Sequence, residues 1–268
     1  MNSFTVERAT DSTLPDAYAL HPDRADAEQR LAQFRERMAA GQARPEQFVL
    51  LRSERGVEGV VLIAQNPQVP LIPRARADTP GVGLTQFFAF LHEVAPERTL
   101  LLDSSLTQLN TAPVLSAGWT LDDEQVMYET DLTVRPWALA PNVLEGGAEL
   151  LEPPKMAVLL AELGQADWET DPDWLVVALP NENGEPVALG AVGPSGRPGW
   201  ASINMLGVRE SERGQGLGTR LHAHLLARAA ERFTHHAGRT EASNHAMRRI
   251  FERNASEPRA QQLYFRSL

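Results

Sequence analysis

The stretch Val208-Arg-Glu-Ser-Glu-Arg-Gly-Gln-Gly-Leu-Gly-Thr219 is the most informative part of the sequence. It follows an apolar run that predicts a strand, Trp200–Val208, and it leads into an amphipathic run that predicts a helix over 217–233. Its three glycines let the backbone bend and approach a ligand without β-carbon clashes. Free amides beside the positive end of a helix dipole suit a phosphate or pyrophosphate. The stretch predicts an anion-binding loop; a glycine turn that only starts a helix is the alternative.

Two familiar phosphate-binding loops do not fit this stretch. A P-loop requires a lysine before its Ser or Thr, and the only lysine of the chain is Lys155. A dinucleotide-binding fingerprint requires a third glycine where the chain has Thr219, and it closes a parallel unit. The strands before this loop instead carry the hairpin signal Asn181-Glu-Asn-Gly184.

The composition is that of an ordinary globular chain. The 268 residues are 43% hydrophobic and 22% charged, which excludes a disordered or fibrous protein. The absence of cysteine excludes disulfides, thiol nucleophiles and cysteine-ligated zinc. The net charge of −10 argues against nucleic-acid binding. No run approaches the roughly 20 apolar residues of a membrane span, and the first residues do not resemble a secretory signal, so we expect a cytoplasmic protein without a membrane partner.

Charge is unevenly distributed along the chain. Residues 209–266 hold 11 arginines against 6 acidic residues, whereas residues 1–134 hold 11 arginines against 19 acidic residues. The basic segment favours a small anionic ligand near the glycine loop, and chance clustering on a solvated helix face is the alternative. The acidic first half favours, weakly, a cationic acceptor.

Weak internal similarity at half the chain length indicates a repeat. Asn110 and Asn244 are 134 residues apart, and Tyr128 and Tyr264 are 136 apart. The pair Gly81-Val-Gly83 precedes Gly216-Leu-Gly218 by a similar distance. The matches occur in one order and predict two copies of one unit. We therefore expect a first domain over 1–133, a Pro- and Gly-rich linker over 134–154 and a second domain over 155–268.

Each half is predicted to mix hairpins with strand–helix–strand units, which indicates a mixed α/β (α+β) class. In the first half we expect helices over 26–40 and 84–94, and strands over 4–8, 48–52, 59–64, 99–103 and 125–132. In the second half we expect helices over 155–163, 217–233 and 244–254, and strands over 174–179, 186–192, 200–208, 240–243 and 262–268.

Two motifs of the second half resemble those of the GNAT N-acetyltransferases. Arg213-Gly-Gln-Gly-Leu-Gly218 looks like the [QR]-x-x-G-x-[GA] motif, and Asn244-x-x-Met247-x-x-Ile250 is similar to the N-x-x-A-x-x-[LI] segment of that family. The resemblance covers about residues 170–268. By the repeat, the first half looks like a degenerate GNAT unit without the full loop, in a tandem layout similar to the mycothiol-synthase-like acetyltransferases.

The resemblance implies two GNAT-like units, each a mostly antiparallel twisted sheet flanked by helices with splayed central parallel strands. It implies acetyl-CoA as cosubstrate in the second unit, between strand Trp200–Val208 and the strand predicted over 240–243. The implied cofactor-binding residues are Leu206, Val208, Arg213, Gly214, Gln215, Gly216, Leu217, Gly218, Thr219 and Asn244. Leu206 and Val208 would act through main-chain atoms, and Asn244 as a helix N-cap is a compatible alternative.

The implied reaction is direct attack of an amine on the thioester, and here the sequence departs from the family pattern. Many members carry Tyr after the second motif, where this chain has Phe251. Tyr264 is a candidate general acid and Glu241 a candidate base, although a terminal-strand tyrosine is usually a core or edge residue and a flanking carboxylate is usually solvated. No metal spacing occurs among the histidines, which we expect at the surface, with His235-His236 at a helix end.

The sequence thus favours an acetyl-CoA-dependent N-acetyltransferase acting on a primary amine of a small molecule or peptide. A non-catalytic CoA-binding or regulatory protein is the alternative, and a purely structural interaction module is a third. We expect no nucleic-acid partner, no metal, and a monomer or homodimer.

Overall fold

A computed structural model describes residues 3–267, and the chain divides into two compact units. The first unit combines Met1–Gln125 with Ala260–Leu268, and the second is Val126–Arg259. This division by contacts differs from the predicted domains, because residues 126–133 group with the second unit and residues 260–268 with the first. Within the described residues, no helix is long and apolar enough to cross a membrane.

The first unit contains a four-stranded antiparallel sheet in the order β1-β2-β3-β4. Its strands and helices are β1 (Thr5–Arg8), α1 (Arg24–Ala39), β2 (Phe48–Ser53), β3 (Gly56–Leu62), β4 (Arg74–Ala75), α2 (Gly81–Val94), β5 (Leu100–Asp103) and α3 (Thr111–Ser116), with a short 3-10 helix at Leu14–Tyr18. The strand β6 (Trp119–Asp131) begins in this unit, and β12 (Glu257–Ser267) ends in it, pairing antiparallel with β5.

The predicted hairpin of the first unit is confirmed. Ser53 pairs with Gly56, so the turn has two residues, and Gly56 adopts a φ of 100° that glycine tolerates without a β-carbon clash. A parallel bridge joins Leu71 to Leu100, and α2 packs on this region through fully buried Phe87 and Leu91. The second unit, described next, has the same order along the chain: antiparallel strands come first and a short parallel pairing follows.

In the second unit the strands follow the order β6-β11-β10-β9-β8-β7, where β6 contributes its residues from 126 onward. The pairs β7–β8, β8–β9 and β9–β10 are antiparallel, and β10–β11 is parallel. The other elements of this unit are β7 (Leu144–Gly146), α4 (Pro154–Glu162), β8 (Leu175–Pro180), β9 (Pro186–Pro194), β10 (Trp200–Val208), α5 (Leu217–Ala230), β11 (His235–Glu241) and α6 (His245–Arg253).

Alternation along β8 explains the two-layered core of this unit. Val177 and Leu179 pack towards α5, whereas Val176 and Ala178 pack towards α4. Successive strand residues point to opposite faces, so a continuous apolar run supplies both. The sheet that contains β10 is therefore buried on both faces, with α5 on one side and α4 on the other.

The predicted mixed α/β class and both hairpins are confirmed, but one strand was misplaced. The strand predicted over 240–243 lies earlier, at His235–Glu241. His235 and His236 therefore begin a strand and do not end a helix, and the prediction that the histidines lie at the surface is wrong for His222, His224 and His236, which are all buried. The predicted terminal strand is present as β12, and its last predicted residue, Leu268, lies outside the described residues.

Candidate active site

The central parallel strands of the second unit separate after a short contact. Their pairs are Trp200 with His235, Ala201 with His236, and Ser202 with Ala237, and the described residues beyond Ser202 add none. A register shift between Ile203 and Met205 on the β9 side adds a bulge at Asn204. The edge of β10 that faces β11 therefore has no strand partner from residue 203 onward among the described residues, and the carbonyl of Val208 at its end accepts from Arg213.

The glycine loop turns the chain from β10 into α5. Gly214 and Gly216 both have a φ of 80°, and the space where their β-carbons would lie is empty within 4 Å. None of the six backbone amides from Gly214 to Thr219 donates a hydrogen bond within the part of the chain that the structure describes; the first intrahelical donor is Arg220, to Gly216. Six successive free amides at the N-terminus of a 14-residue helix are groups of the kind that favour an anion.

Gly218 has a different role in the same loop. A β-carbon there would lie 2.8 Å from Cδ1 of Ile250, so the missing side chain lets α5 and α6 approach closely. Ile250 and Gly218 both line the cavity described below, so the face of α6 that carries Ile250 is turned towards the loop.

A cavity of about 550 Å³ lies where β10, the glycine loop and α6 meet. Nine of the ten predicted cofactor-binding residues line it, from Leu206 and Val208 on the strand, through the loop, to Asn244. The exception is Gln215, whose side-chain amide donates to Glu212. The predicted residues thus come together in one cavity of the size range of small-molecule sites, about 300–1,000 Å³.

Two predicted residues are also held by protein contacts. Nε of Arg213 donates to the carbonyl of Val208 at 3.0 Å, which ties the start of the loop to the end of β10. The side-chain oxygen of Asn244 accepts from the amide of Met247 at 3.0 Å, so Asn244 is the N-cap of α6. It nevertheless lines the cavity, and the two predicted roles of Asn244 are compatible.

Sequence reasoning missed several residues of the cavity wall. Arg249 and Arg253, one helical turn apart on α6, line it, as do Leu163 and Gln165 after α4. Helix spacing alone puts Arg253 on the face of Ile250, three residues earlier, and Arg249 on the face of Arg253, four residues later. That spacing indicates the cavity only once Ile250 is known to line it. With Arg213 they give the cavity three positive side chains against the single carboxylate of Glu212.

The two predicted catalytic residues do not line this cavity. Glu241 ends β11, is exposed, and accepts a hydrogen bond from Ser243 at 3.4 Å. Tyr264 lies on β12 in the first unit, opposite Leu101, and its hydroxyl donates to the side chain of Gln262. Phe251 is 2% exposed and belongs to the core behind α6.

Buried histidines form a polar group beneath the site. Nδ1 of His222 contacts the side-chain amide of Asn254 at 3.0 Å, and Nδ1 of His236 contacts the hydroxyl of Thr130 at 3.2 Å. Their Nε2 atoms have no partner among the described residues. Burial lowers the pKa of His236 to about 3; burial, and then the neighbouring His236, hold the pKa of His222 well below its usual range. Both rings are therefore neutral near pH 7.

A third buried histidine ties α5 to the segment before β7. Nδ1 of His224 accepts from the amide of Ala140, so its Nε2 carries the proton and donates to Glu145 at 2.5 Å. Partial burial tends to raise the pKa of Glu145, and the bonds from Arg228 and His224 outweigh it and lower that pKa. Among residues 3–267 the structure groups no three His, Asp or Glu side chains in a way that could hold a metal.

Residues 147–255 match the model of the acetyltransferase (GNAT) family, a segment that contains the glycine loop and the Asn244 motif. This match places that part of the chain in the GNAT acetyltransferase family. No curated protein sequence matches the chain.

Solved structures resemble the chain over almost its whole length. A GCN5-related N-acetyltransferase from Sphaerobacter thermophilus has a TM-score of 0.56 at 14% identity, covering 98% of this chain and 94% of that one. A GNAT-family acetyltransferase from Colwellia psychrerythraea has a TM-score of 0.51 at 13% identity, covering 92% and 97%. A tandem GNAT protein from the clavulanic acid biosynthesis pathway has a TM-score of 0.48 at 16% identity, covering 98% of each chain. At 13–14% identity, the likeness to the Sphaerobacter and Colwellia structures concerns the fold alone.

Proposed function

We propose that the second unit binds acetyl-CoA in the cavity beside the glycine loop and transfers the acetyl group to a primary amine of a small molecule or peptide. The observation that carries the proposal is the row of free amides from Gly214 to Thr219 at the mouth of the splayed strands β10 and β11. A helix N-terminus with free amides favours a diphosphate, and an open strand edge favours an extended chain with amide groups.

The residues present fit such a ligand. The amides of the loop would hold the diphosphate, and the backbone of Leu206 and Val208 would pair with the amide-bearing arm. Arg213, Arg249 and Arg253 would add positive charge for the remaining phosphate oxygens. The empty space over Gly214 and Gly216 leaves room for the phosphates to approach the backbone.

The bound thioester supplies an activated acetyl group. The chain's own tasks are to orient a neutral amine, to offer backbone amides of β10 to the developing oxyanion, and to move two protons. A C–N bond forms and the C–S bond breaks; the amine loses a proton and the departing thiolate gains one. Glu241 as base and Tyr264 as acid stay predictions, and water is the alternative in both roles.

A non-catalytic CoA-binding protein is the second candidate. It is favoured by the position of Phe251 in the core and by the places of Glu241 and Tyr264 outside the cavity. Both candidates require acetyl-CoA binding, and only the enzyme releases free thiol in an amine-dependent way.

The test combines calorimetric binding of acetyl-CoA with a thiol-release assay against separate polyamines, aminoglycosides, amino acids and short peptides. We expect saturable binding and amine-dependent release with at least one cationic class. Binding without release by any amine supports the non-catalytic candidate, and absence of binding removes both.

Glu241→Gln tests the base separately. We expect lower turnover and an altered pH profile with unchanged acetyl-CoA affinity, whereas Glu252→Gln on the exposed side of α6 is the matched control. A pH profile identical to that of the control removes Glu241 from the mechanism.

A further inference from the structure

A second cavity, of about 380 Å³, lies within the first unit, which carries no phosphate-type glycine loop. It is bounded by the 3-10 helix Leu14–Tyr18, α1, the strands β2 and β3, and the segment around Ile72 and Arg74. Every lining residue lies between residues 17 and 106, so this cavity belongs to the first unit alone.

One part of the wall is aromatic and apolar. The ring of Phe48 lies 5.5 Å from that of Tyr18 and 5.0 Å from that of Phe34, both in inclined arrangements. Leu62 and Ile72 extend this wall and are 37% and 39% exposed. Phe34 and Phe48 are each only 6% exposed, so Leu62 and Ile72 supply most of the open apolar surface that gains free energy when an apolar group covers it.

The other part of the wall is cationic. Arg30, Arg37 and Arg74 line the cavity, and no Asp or Glu does, although residues 1–134 carry an excess of acidic residues. Asp26, which is not a lining residue, accepts from Arg30 at 2.8 Å and lies 3.1 Å from Nε2 of His21, so it neutralises one of the three arginines. The remaining two positive charges face the cavity without a carboxylate.

Neither remaining arginine is neutralised by a protein group. Arg74 donates to the backbone carbonyl of Leu20 at 3.1 Å, and burial followed by repulsion from Arg30 lowers its pKa. Arg37 is exposed and makes no hydrogen bond or ion pair with the described residues. Arginines without a carboxylate partner favour the binding of a carboxylate or phosphate, because such an anion accepts two parallel hydrogen bonds from a guanidinium.

We propose that this cavity binds an organic anion with an apolar body: its carboxylate or phosphate is held by Arg37 and Arg74, and its aromatic or branched aliphatic part covers Leu62 and Ile72 beside Tyr18. The first unit would then be a ligand-binding domain of its own. The proposal is independent of the acetyl-transfer proposal, because no residue is shared between the two cavities.

The experiment uses the full chain and four probes: 3-phenylpropanoate, its neutral isostere 3-phenylpropanamide, phenyl phosphate and inorganic phosphate. Calorimetry and saturation-transfer NMR measure binding. We expect saturable binding of 3-phenylpropanoate or phenyl phosphate. The tighter of these two ligands identifies whether the site prefers a carboxylate or a phosphate. 3-Phenylpropanamide should bind at least about tenfold more weakly than 3-phenylpropanoate, because the amide cannot form the charge-assisted hydrogen bonds that the carboxylate forms with arginine. Equal affinity for the amide, or for inorganic phosphate, would overturn the proposal.

Variants then locate the site. Arg37→Gln should weaken the aromatic anion about tenfold, whereas Arg35→Gln, which removes the same charge from an exposed position of α1 outside the cavity, should not. Ile72→Trp, which fills the cavity from an exposed position, should abolish binding while the circular dichroism stays that of the wild type. Equal affinities of the Arg37→Gln and Arg35→Gln proteins, or no saturable binding of either aromatic anion to the wild type, would refute the site.

Discussion

The ring of Phe251 lies flat against that of Tyr128 in the second unit, with centroids 4.4 Å apart and an interplanar angle of 8°. Both residues are buried, at 2% and 1% exposure. Phe251 follows Ile250 of the second motif, yet Ile250 lines the cavity and Phe251 packs on the opposite side of α6, over Gly238. The position that carries tyrosine in many GNAT relatives therefore belongs to the core here.

Restoring that tyrosine should not restore an acid. We expect Phe251→Tyr to leave amine-dependent thiol release no faster than in the wild type, because the ring does not line the cavity. Steady-state kinetics at several pH values measure this. A higher turnover with a new basic limb in the pH profile would contradict the placement of this ring.

Much of the fold could be predicted because its decisive features are local. The predicted boundaries of Trp200–Val208 are those of β10, since an apolar run ends where the glycine loop begins. β11 was misplaced because a buried residue of this strand looks polar: His236 is fully buried, and Phe251, Gly238, His222 and Thr130 are its neighbours. That burial is a tertiary effect and leaves no periodic signal in the sequence.

The site divides in the same way. The loop was predictable because free amides and positive φ values are properties of the backbone that a glycine pattern reveals. Arg249 and Arg253 were missed because the face that α6 presents depends on Ile250 packing against Gly218. The position of Tyr264 could not be predicted because it depends on which unit holds the end of β12. The repeat puts residue 264 in the second domain, whereas the contacts group it with the first unit.

Gly216→Val should abolish acetyl-CoA binding. The added side chain enters the space over the free amides, and its left-handed φ costs about 1–2 kcal/mol of folding free energy. Calorimetry measures the affinity, and thermal unfolding measures the stability.

Gly196→Val is the matched control for this change. Gly196 has a φ of 82°, equally open space around its β-carbon position, and no place in the cavity wall. It should lose similar stability and keep its acetyl-CoA affinity. Equal binding by the two variants would refute the loop as the phosphate site.

Arg249→Gln and Arg253→Gln should each lower the affinity for acetyl-CoA about tenfold, because each removes a charge-assisted contact to a phosphate. If these arginines hold the ribose 3′-phosphate of CoA, the affinity for dephospho-CoA, which lacks that phosphate, should change less in the same variants. Arg232→Gln, at an exposed position two residues after the end of α5 and outside the cavity, is the control. Equal losses in all three variants would indicate a general charge effect and contradict specific contacts.

Acid should destabilise the second unit through His222 and His236. Both are neutral in the native state with lowered pKa values, while in the unfolded chain they titrate near 6.5. As the pH falls below 6.5, the unfolded chain takes up protons that the native state does not, down to about pH 3 for His236. The free energy of unfolding should therefore fall by up to about 1.4 kcal/mol per pH unit for each histidine, and no such loss occurs above pH 6.5.

Urea unfolding followed by tryptophan fluorescence between pH 8 and pH 5 measures this slope, because Trp137, Trp168, Trp174 and Trp200 all lie in the second unit. His236→Leu should flatten the slope, since it removes one buried proton acceptor while Thr130 keeps its bond to Ser256. His245→Gln, at an exposed position at the start of α6, should leave the slope unchanged. A wild-type slope in His236→Leu would show that His236 takes up its proton over the same pH range in the native and unfolded chains, which would contradict a ring kept neutral by burial.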